Sequence, residues 1–80
     1  MKKNKQDVIA VTGGAGLIGS FLVDILVSQN KMVRVIDDFS KGTRNNLKKS
    51  IESVEVFEGN LEDKEFAKYS LEGCHEVYHL

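Results

Sequence analysis

Proline and tryptophan do not occur in these 80 residues, and cysteine appears once, as Cys74. One thiol cannot close an internal disulfide, and it leaves too few sulfurs for a zinc cluster. The expectation is a reducing compartment, the cytoplasm, with Cys74 an inert buried thiol. Neither sign of charge is in excess, since the formal net charge is −1. That balance offers no electrostatic footprint for nucleic acid or an anionic membrane. Long apolar runs are also missing. Asp24 interrupts the richest stretch well before the about 18 residues that a membrane span needs. The opening "MKKNK" followed by "VIAVTGGAGLIG" imitates the basic and apolar parts of a secretory signal. Asp7 between the two parts, and glycines that would break an apolar helix, argue against one. There is no internal repeat and no low-complexity linker.

What remains is the composition of a soluble globular chain, 41% hydrophobic and 29% charged. Its length allows one small domain at most. Such a chain buries about 60–65% of its unfolded surface, and its core supplies roughly 3–5 kcal/mol.

Apolar periodicity places the elements. "VIAVT", Val8–Thr12, has the length and β-branched content of a buried strand. Leu17 to Gln29 reads as a helix, with Leu17, Ile18, Phe21, Leu22, Ile25 and Leu26 as its packed stripe and Val23 and Val27 widening it. Asn30-Lys31 closes that helix. "MVRVID", Met32–Asp37, is a second strand, followed by the polar loop "DFSKGTRN" and a short helix around Asn45–Ser50. "VEVFE", Val54–Glu58, is a third strand. "KEFAKYSLEG" is a helix with Asp63 as N-cap, and "EVYHL" opens a fourth strand. Strands joined by helical crossovers must pair in parallel. Right-handed crossovers then give an α/β, doubly wound parallel sheet of the Rossmann type, with the first three strands ordered 3-2-1 and the fourth beside the first.

The join of strand one and helix one holds four glycines in ten residues, "VTGGAGLIGS". A glycine inside a helix costs about 1 kcal/mol relative to alanine, so the cluster needs a reason. Gly14, Gly16 and Gly19 satisfy G-x-G-x-x-G, and Gly13 stands at the strand end. Gly13 and Gly14 are expected to permit the φ values of a sharp turn. Gly16 would let the backbone approach a pyrophosphate, and Gly19 would let the helix lie tightly on the sheet. A helix start bares N–H groups and carries about half a positive charge, which suits phosphate. The matching acid is Asp37, 18 residues after Gly19 at the end of the second strand, where it would accept from ribose hydroxyls. No Gly-Lys-Ser/Thr follows the glycines, which excludes a P-loop. Two unit charges about 4 Å apart repel by roughly 4 kcal/mol at an effective dielectric of 20. Asp37 therefore favours NAD over NADP, an effect that Lys41 and Arg44 soften.

"VTGGAGLIGSFLVDILV", "VIDDFSKGTRNNL", "FEGNLEDKE" and "EVYHL" together resemble the N-terminal half of extended short-chain dehydrogenase/reductases, and most of all the NAD-dependent nucleotide-sugar epimerase/dehydratase family. The resemblance runs from Asp7 to Leu80. It implies that Gly13, Gly16 and Gly19 are phosphate-loop glycines and that the Leu17 and Ile18 backbones line the pyrophosphate. It likewise implies that Asp37 holds the adenosine ribose and that Asp38, Phe39, Ser40, Lys41 and Gly42 surround the adenosine. The family usually has aspartate where Asn60 stands; the amide oxygen of Asn60 still accepts a hydrogen bond, without a charge. Leu61 would touch the adenine ring, and Leu80 would start the segment that closes over the cofactor.

The same family performs its chemistry with a Tyr-x-x-x-Lys pair. Here position 73, four after Tyr69, is glycine, and position 82, four after Tyr78, lies past the last residue. No catalytic residue and no metal ligand is expected. His79 reads as a packed strand histidine, and the Cys74-His75 pair as part of a surface loop. The expected unit is thus residues 1–80 as the N-terminal half of an NAD-binding domain, without its C-terminal half or a substrate domain, and with a nucleotide sugar as substrate only in a complete enzyme. A non-catalytic dinucleotide-binding module and a reductase acting on a non-sugar substrate remain alternatives. A parallel sheet needs cover on both faces, so a fourth strand only begun would leave the chain marginally stable and prone to self-association through its open edge.

Overall fold

The computed structural model describes residues 8–80; the signal-like start Met1–Lys5, with Asp7, lies outside them. The strands are β1 (Val8–Thr12), β2 (Met32–Asp37), β3 (Val54–Glu58) and β4 (Cys74–His79), with helices α1 (Leu17–Ser28) and α2 (Lys64–Leu71). All pairings are parallel and the order is β3-β2-β1-β4, as the crossover argument requires. β1, flanked on both sides, is buried throughout.

Alternation along the strands sorts the two faces. Ile9, Val11, Val33 and Val35 face α1, where they meet Val23 and Leu26, and Leu47 from the β2–β3 connection closes this core. On the opposite face Arg34 projects from β2. Its Nη1 donates to the Ser70 and Glu72 carbonyls at 2.8 and 2.7 Å, and its Nε donates to Glu55 at 3.0 Å. The guanidinium also lies 4.6 Å from the Phe57 ring centroid. Carbonyls at a helix C-terminus lack intrahelical donors, so one arginine both satisfies the end of α2 and fastens it to the sheet. Phe57 and Tyr69, with ring centroids 5.2 Å apart, extend the same contact.

Helix α1 starts where its apolar periodicity begins and ends at an αL residue. Asn30 has φ 64°, its N–H donates to Val27, and the Lys31 N–H reaches back to Leu26. That pair of bonds is a Schellman cap. The packed stripe is not the expected one. Gly19, Ser20, Val23 and Leu26 are buried, whereas Leu17, Ile18 and Phe21 are 80%, 78% and 69% exposed. Small residues set the contact line here, because they let the helix start approach the turn that precedes it.

Two further expectations change. In place of the helix expected at Asn45–Ser50 there is a 3₁₀ turn, Arg44–Leu47, followed beyond that segment by a second, Ile51–Ser53. Thr43 caps the first by accepting from the Asn46 N–H at 3.3 Å, and buried Leu47 anchors it. β4 is not merely begun. It starts at Cys74, two residues before the expected Glu76, and pairs with β1 from Val8 to Thr12 around an irregularity after Val8. Cys74 and His75 therefore lie in a strand, not a loop. Burial pushes the Cys74 thiol above its usual 9.0 against the opposing pull of Arg34, which keeps it a protonated, unreactive thiol near neutral pH. Asp63 caps α2 as expected, accepting from the Glu65 and Phe66 N–H groups.

Candidate functional site

The carboxyl ends of β1 and β2 deliver the glycine turn and Asp37 to the same edge of the sheet. Gly13 takes φ +71°, and its N–H donates to the Ile36 carbonyl at 2.8 Å, tying the turn to the end of β2. The Gly16 N–H then donates to Gly13 O at 3.1 Å. Only glycine takes that φ at Gly13 without strain. Gly14 acts differently from expectation. Its φ is not positive; glycine is needed because a Cβ there would sit 2.9 Å from Val35 Cγ1 and 3.1 Å from Val11 O. Gly19 is also reassigned. A Cβ there would collide with Gly13 O and stand 2.8 Å from Gly14 Cα, so it packs against the turn rather than the sheet.

Gly16 is the residue before α1, extended at φ −75°, ψ 175°, with no side-chain cap and no acidic residue in the first turn. A Cβ added to it would meet only Gly13 O, at 3.4 Å. No hydrogen bond among the described residues takes up the Leu17, Ile18 and Gly19 N–H groups, and free helix-start amides suit an anion. The side chains of Leu17 and Ile18 point outward; only their backbones belong to this edge.

Asp37 holds the turn. Its Oδ2 accepts from the Ala15 N–H at 2.9 Å and its Oδ1 from the Phe39 N–H at 2.8 Å. Each oxygen of an ionised carboxylate has a further lone pair, so both remain able to accept from ribose hydroxyls. The Ala15 carbonyl in turn accepts from the Thr43 N–H at 3.1 Å and Asn46 Nδ2 at 2.8 Å. Gly42 makes this bracing possible, because a Cβ there would stand 2.6–2.8 Å from Ala15 atoms. Gly42 is therefore buried against the turn. Nothing in the sequence marked Ala15 as the hub; the only trace is the amide of Asn46 placed one residue before the apolar Leu47.

Gly13, Ile36, Asp37, Asp38, Gly59, Asn60 and Leu61 line a cleft of about 130 Å³. The structure thus brings Gly13, Asp37, Asp38, Asn60 and Leu61 together, and adds Ile36 and Gly59, which carry no chemical signal in sequence. Asp38 Oδ1 accepts from the N–H and hydroxyl of Ser40 at 3.0 and 2.7 Å, and these bonds hold its carboxyl below the usual 3.8. Phe39, at φ 60°, lies under the Arg44 guanidinium, 4.6 Å from the ring centroid. Lys41 is exposed on the same loop. The Asn60 side-chain oxygen already accepts from the Glu62 N–H at 2.8 Å, so its second lone pair and its Nδ2 donors are what it presents. Leu80 flanks the turn: its N–H donates towards Thr12 O and Oγ1 at 3.4 and 3.3 Å, and its carbonyl faces Gly13. His79 is exposed rather than packed in the core, with Nδ1 2.7 Å from Thr12 Oγ1. A larger cavity of about 360 Å³ lies elsewhere, between α1 and Lys49-Ser50, and takes no part in this edge.

A four-stranded parallel sheet whose first strand feeds a glycine turn into a helix start, with a carboxylate one strand over, defines a Rossmann-type nucleotide fold. The chain belongs to the NAD-dependent epimerase/dehydratase family, which it matches over residues 9–80. It is similar to the UDP-glucose 4-epimerase of Thermotoga maritima, solved with UDP-glucose, at a TM-score of 0.81 and 36% identity. That likeness covers 91% of this chain and 23% of the Thermotoga one. The Thermus thermophilus UDP-glucose 4-epimerase complex with NAD gives 0.77 and 35%, over 90% and 23%. UDP-glucuronic acid decarboxylase 1 of Arabidopsis thaliana is 54% identical over 39 residues, 49% of this chain and 9% of that protein. The chain spans between 22% and 26% of the length of the solved relatives.

Proposed function

We propose that this chain forms the NAD-binding part of an enzyme that remodels nucleotide sugars by epimerisation or dehydration. The observation that carries the reading is the open start of α1 beside Asp37: unclaimed first-turn amides on one side, a carboxylate with spare lone pairs on the other. A dinucleotide fits that pair of features, with its pyrophosphate at the Leu17–Gly19 amides and its adenosine ribose at Asp37. The Thermus relative, solved with NAD, supports this choice of cofactor, and the Thermotoga relative, solved with UDP-glucose, supports the substrate class. NAD would supply hydride transfer. The residues of this chain bind and orient; the proton-transferring Tyr-x-x-x-Lys pair is not among them. The lone thiol suits the cytoplasm.

Titration calorimetry with NAD and NADP tests the proposal. NAD is expected to bind, with NADP weaker by at least about tenfold, the repulsion between Asp37 and a 2′-phosphate being several times RT. Equal or tighter binding of NADP overturns the cofactor choice, and absence of NAD binding overturns the function.

Self-association belongs to the same proposal. Among the described residues β4 has no neighbour on its outer side, and Val77 and Tyr78 within it, with Leu80 just after it, are 45%, 36% and 56% exposed. An open, apolar strand edge is a template for pairing. Sedimentation across a dilution series is expected to show oligomers that Val77→Lys reduces. A monomer at every concentration would remove this part of the proposal.

A further inference from the structure

Two carboxylates end adjacent strands where the cleft begins: Asp37 lines it, and Glu58 directly precedes its Gly59. Asp37 pairs in register with Glu58. Neighbours in a parallel ladder, each following inward-facing valines at alternate positions, share the face that looks toward α1. Arg44 meets one of the two, Glu58, and the ring of Phe39. Its Nη2 donates to Glu58 Oε1 at 2.8 Å, while its guanidinium carbon lies 4.6 Å from the centroid of the Phe39 ring. Phe39 is in turn fixed by its N–H bond to Asp37 Oδ1. The base of Arg44 is held as well, because it opens the 3₁₀ turn that Thr43 caps and Leu47 buries. A guanidinium, the group best shaped to clamp a phosphate, is therefore held one residue's contact away from Asp37, through Phe39, with its charge committed to Glu58.

We infer that Glu58 is a cofactor-specificity residue: by holding Arg44 in an ion pair, it withholds from a 2′-phosphate the cation that would accept it. The inference rests on the proposed binding of the adenosine ribose at Asp37. Asp37 repels the 2′-phosphate and Glu58 disarms the nearest arginine, so selectivity for NAD has two components on adjacent strands. Lys41 is the only other cation between Asp37 and Arg44 in the chain.

Glu58→Gln removes the charge and keeps the shape, and its exposed side chain, 57% accessible, makes the change benign for folding. Calorimetric titration of the wild type, Glu58→Gln and Glu58→Gln/Arg44→Leu with both cofactors is the test. The NAD-to-NADP affinity ratio is expected to fall about tenfold in Glu58→Gln, the scale of one released charge near a phosphate at high effective dielectric. In the double variant it is expected to return toward the wild-type value. An unchanged ratio in Glu58→Gln, with NAD still bound, overturns this inference and leaves the proposed function standing. A fall that persists in the double variant also overturns it, since Arg44 would then play no part. Failure of the wild type to bind NAD overturns both.

Discussion

Alanine at Gly16 and alanine at Gly19 are expected to fail in different ways, although the two positions lie three residues apart. At Gly16 the added methyl meets only Gly13 O, at 3.4 Å, so the fold tolerates it at a cost of about 1 kcal/mol or less, that of a poorer N-cap. On the proposed placement of the pyrophosphate, however, that methyl obstructs the close backbone approach. NAD binding by Gly16→Ala is expected to fall by about a hundredfold, the loss of roughly two charge-assisted hydrogen bonds. At Gly19 the methyl is driven into the Gly13 carbonyl and close to Gly14 Cα. Backbone cannot rotate away as a side chain can. Overpacking costs about 1–3 kcal/mol even in forgiving cores, and a chain this small has roughly 3–5 kcal/mol in all. The melting temperature of Gly19→Ala is therefore expected to drop by more than about 10 °C, at about 4–8 °C per kcal/mol. Circular dichroism melts and NAD titrations on the two variants decide the matter. Equal melting temperatures, or full NAD affinity in Gly16→Ala, would contradict the placement of the turn.

The second large effect belongs to Asp37, whose carboxylate holds the turn and is proposed to hold the ribose as well. Asp37→Ala is expected to strand the N–H groups of Ala15 and Phe39, which it now satisfies at 2.9 and 2.8 Å. Losing the acceptor of a partly buried donor costs about 1–3 kcal/mol, so this variant should melt well below the wild type and bind NAD at least about a hundredfold more weakly. Asp37→Asn keeps one oxygen acceptor and the shape. It should melt between the two and tolerate NADP better relative to NAD. Were Asp37→Ala to melt as the wild type does and still bind NAD, the carboxylate would hold neither the turn nor the ribose.

How much of this was legible beforehand depended on whether the signal was local. The strands, their order and the Asp63 cap could be read because each rests on a short apolar run or a capping residue beside its own helix. The buried side of α1 could not. Leu17, Ile18, Phe21 and Ile25 give the stronger periodic stripe, but a sum of hydrophobicity does not register that Gly19 and Ser20 let a helix come closest. The first two residues of β4, Cys74 and His75, look like loop in sequence; Cys74 pairs with Val8, a residue more than sixty positions earlier, and His75 sits at the irregularity that follows. Within the site, glycine spacing and Asp37 located the turn, yet the division of labour among Gly13, Gly14 and Gly19 needed the atoms each would strike. Arg34, which fastens α2 across two strands, and the Arg44–Glu58 pair carried no local mark at all.

Ala15 has a consequence for how the chain acquires its competence. Its amide is held by a residue 22 positions later and its carbonyl by one 31 positions later. An excised peptide ending at Ser28 would possess every glycine of the motif and none of the clamps that shape it. During synthesis, then, the proposed phosphate cradle takes its shape only after the chain has run on through Asn46, together with tertiary closure.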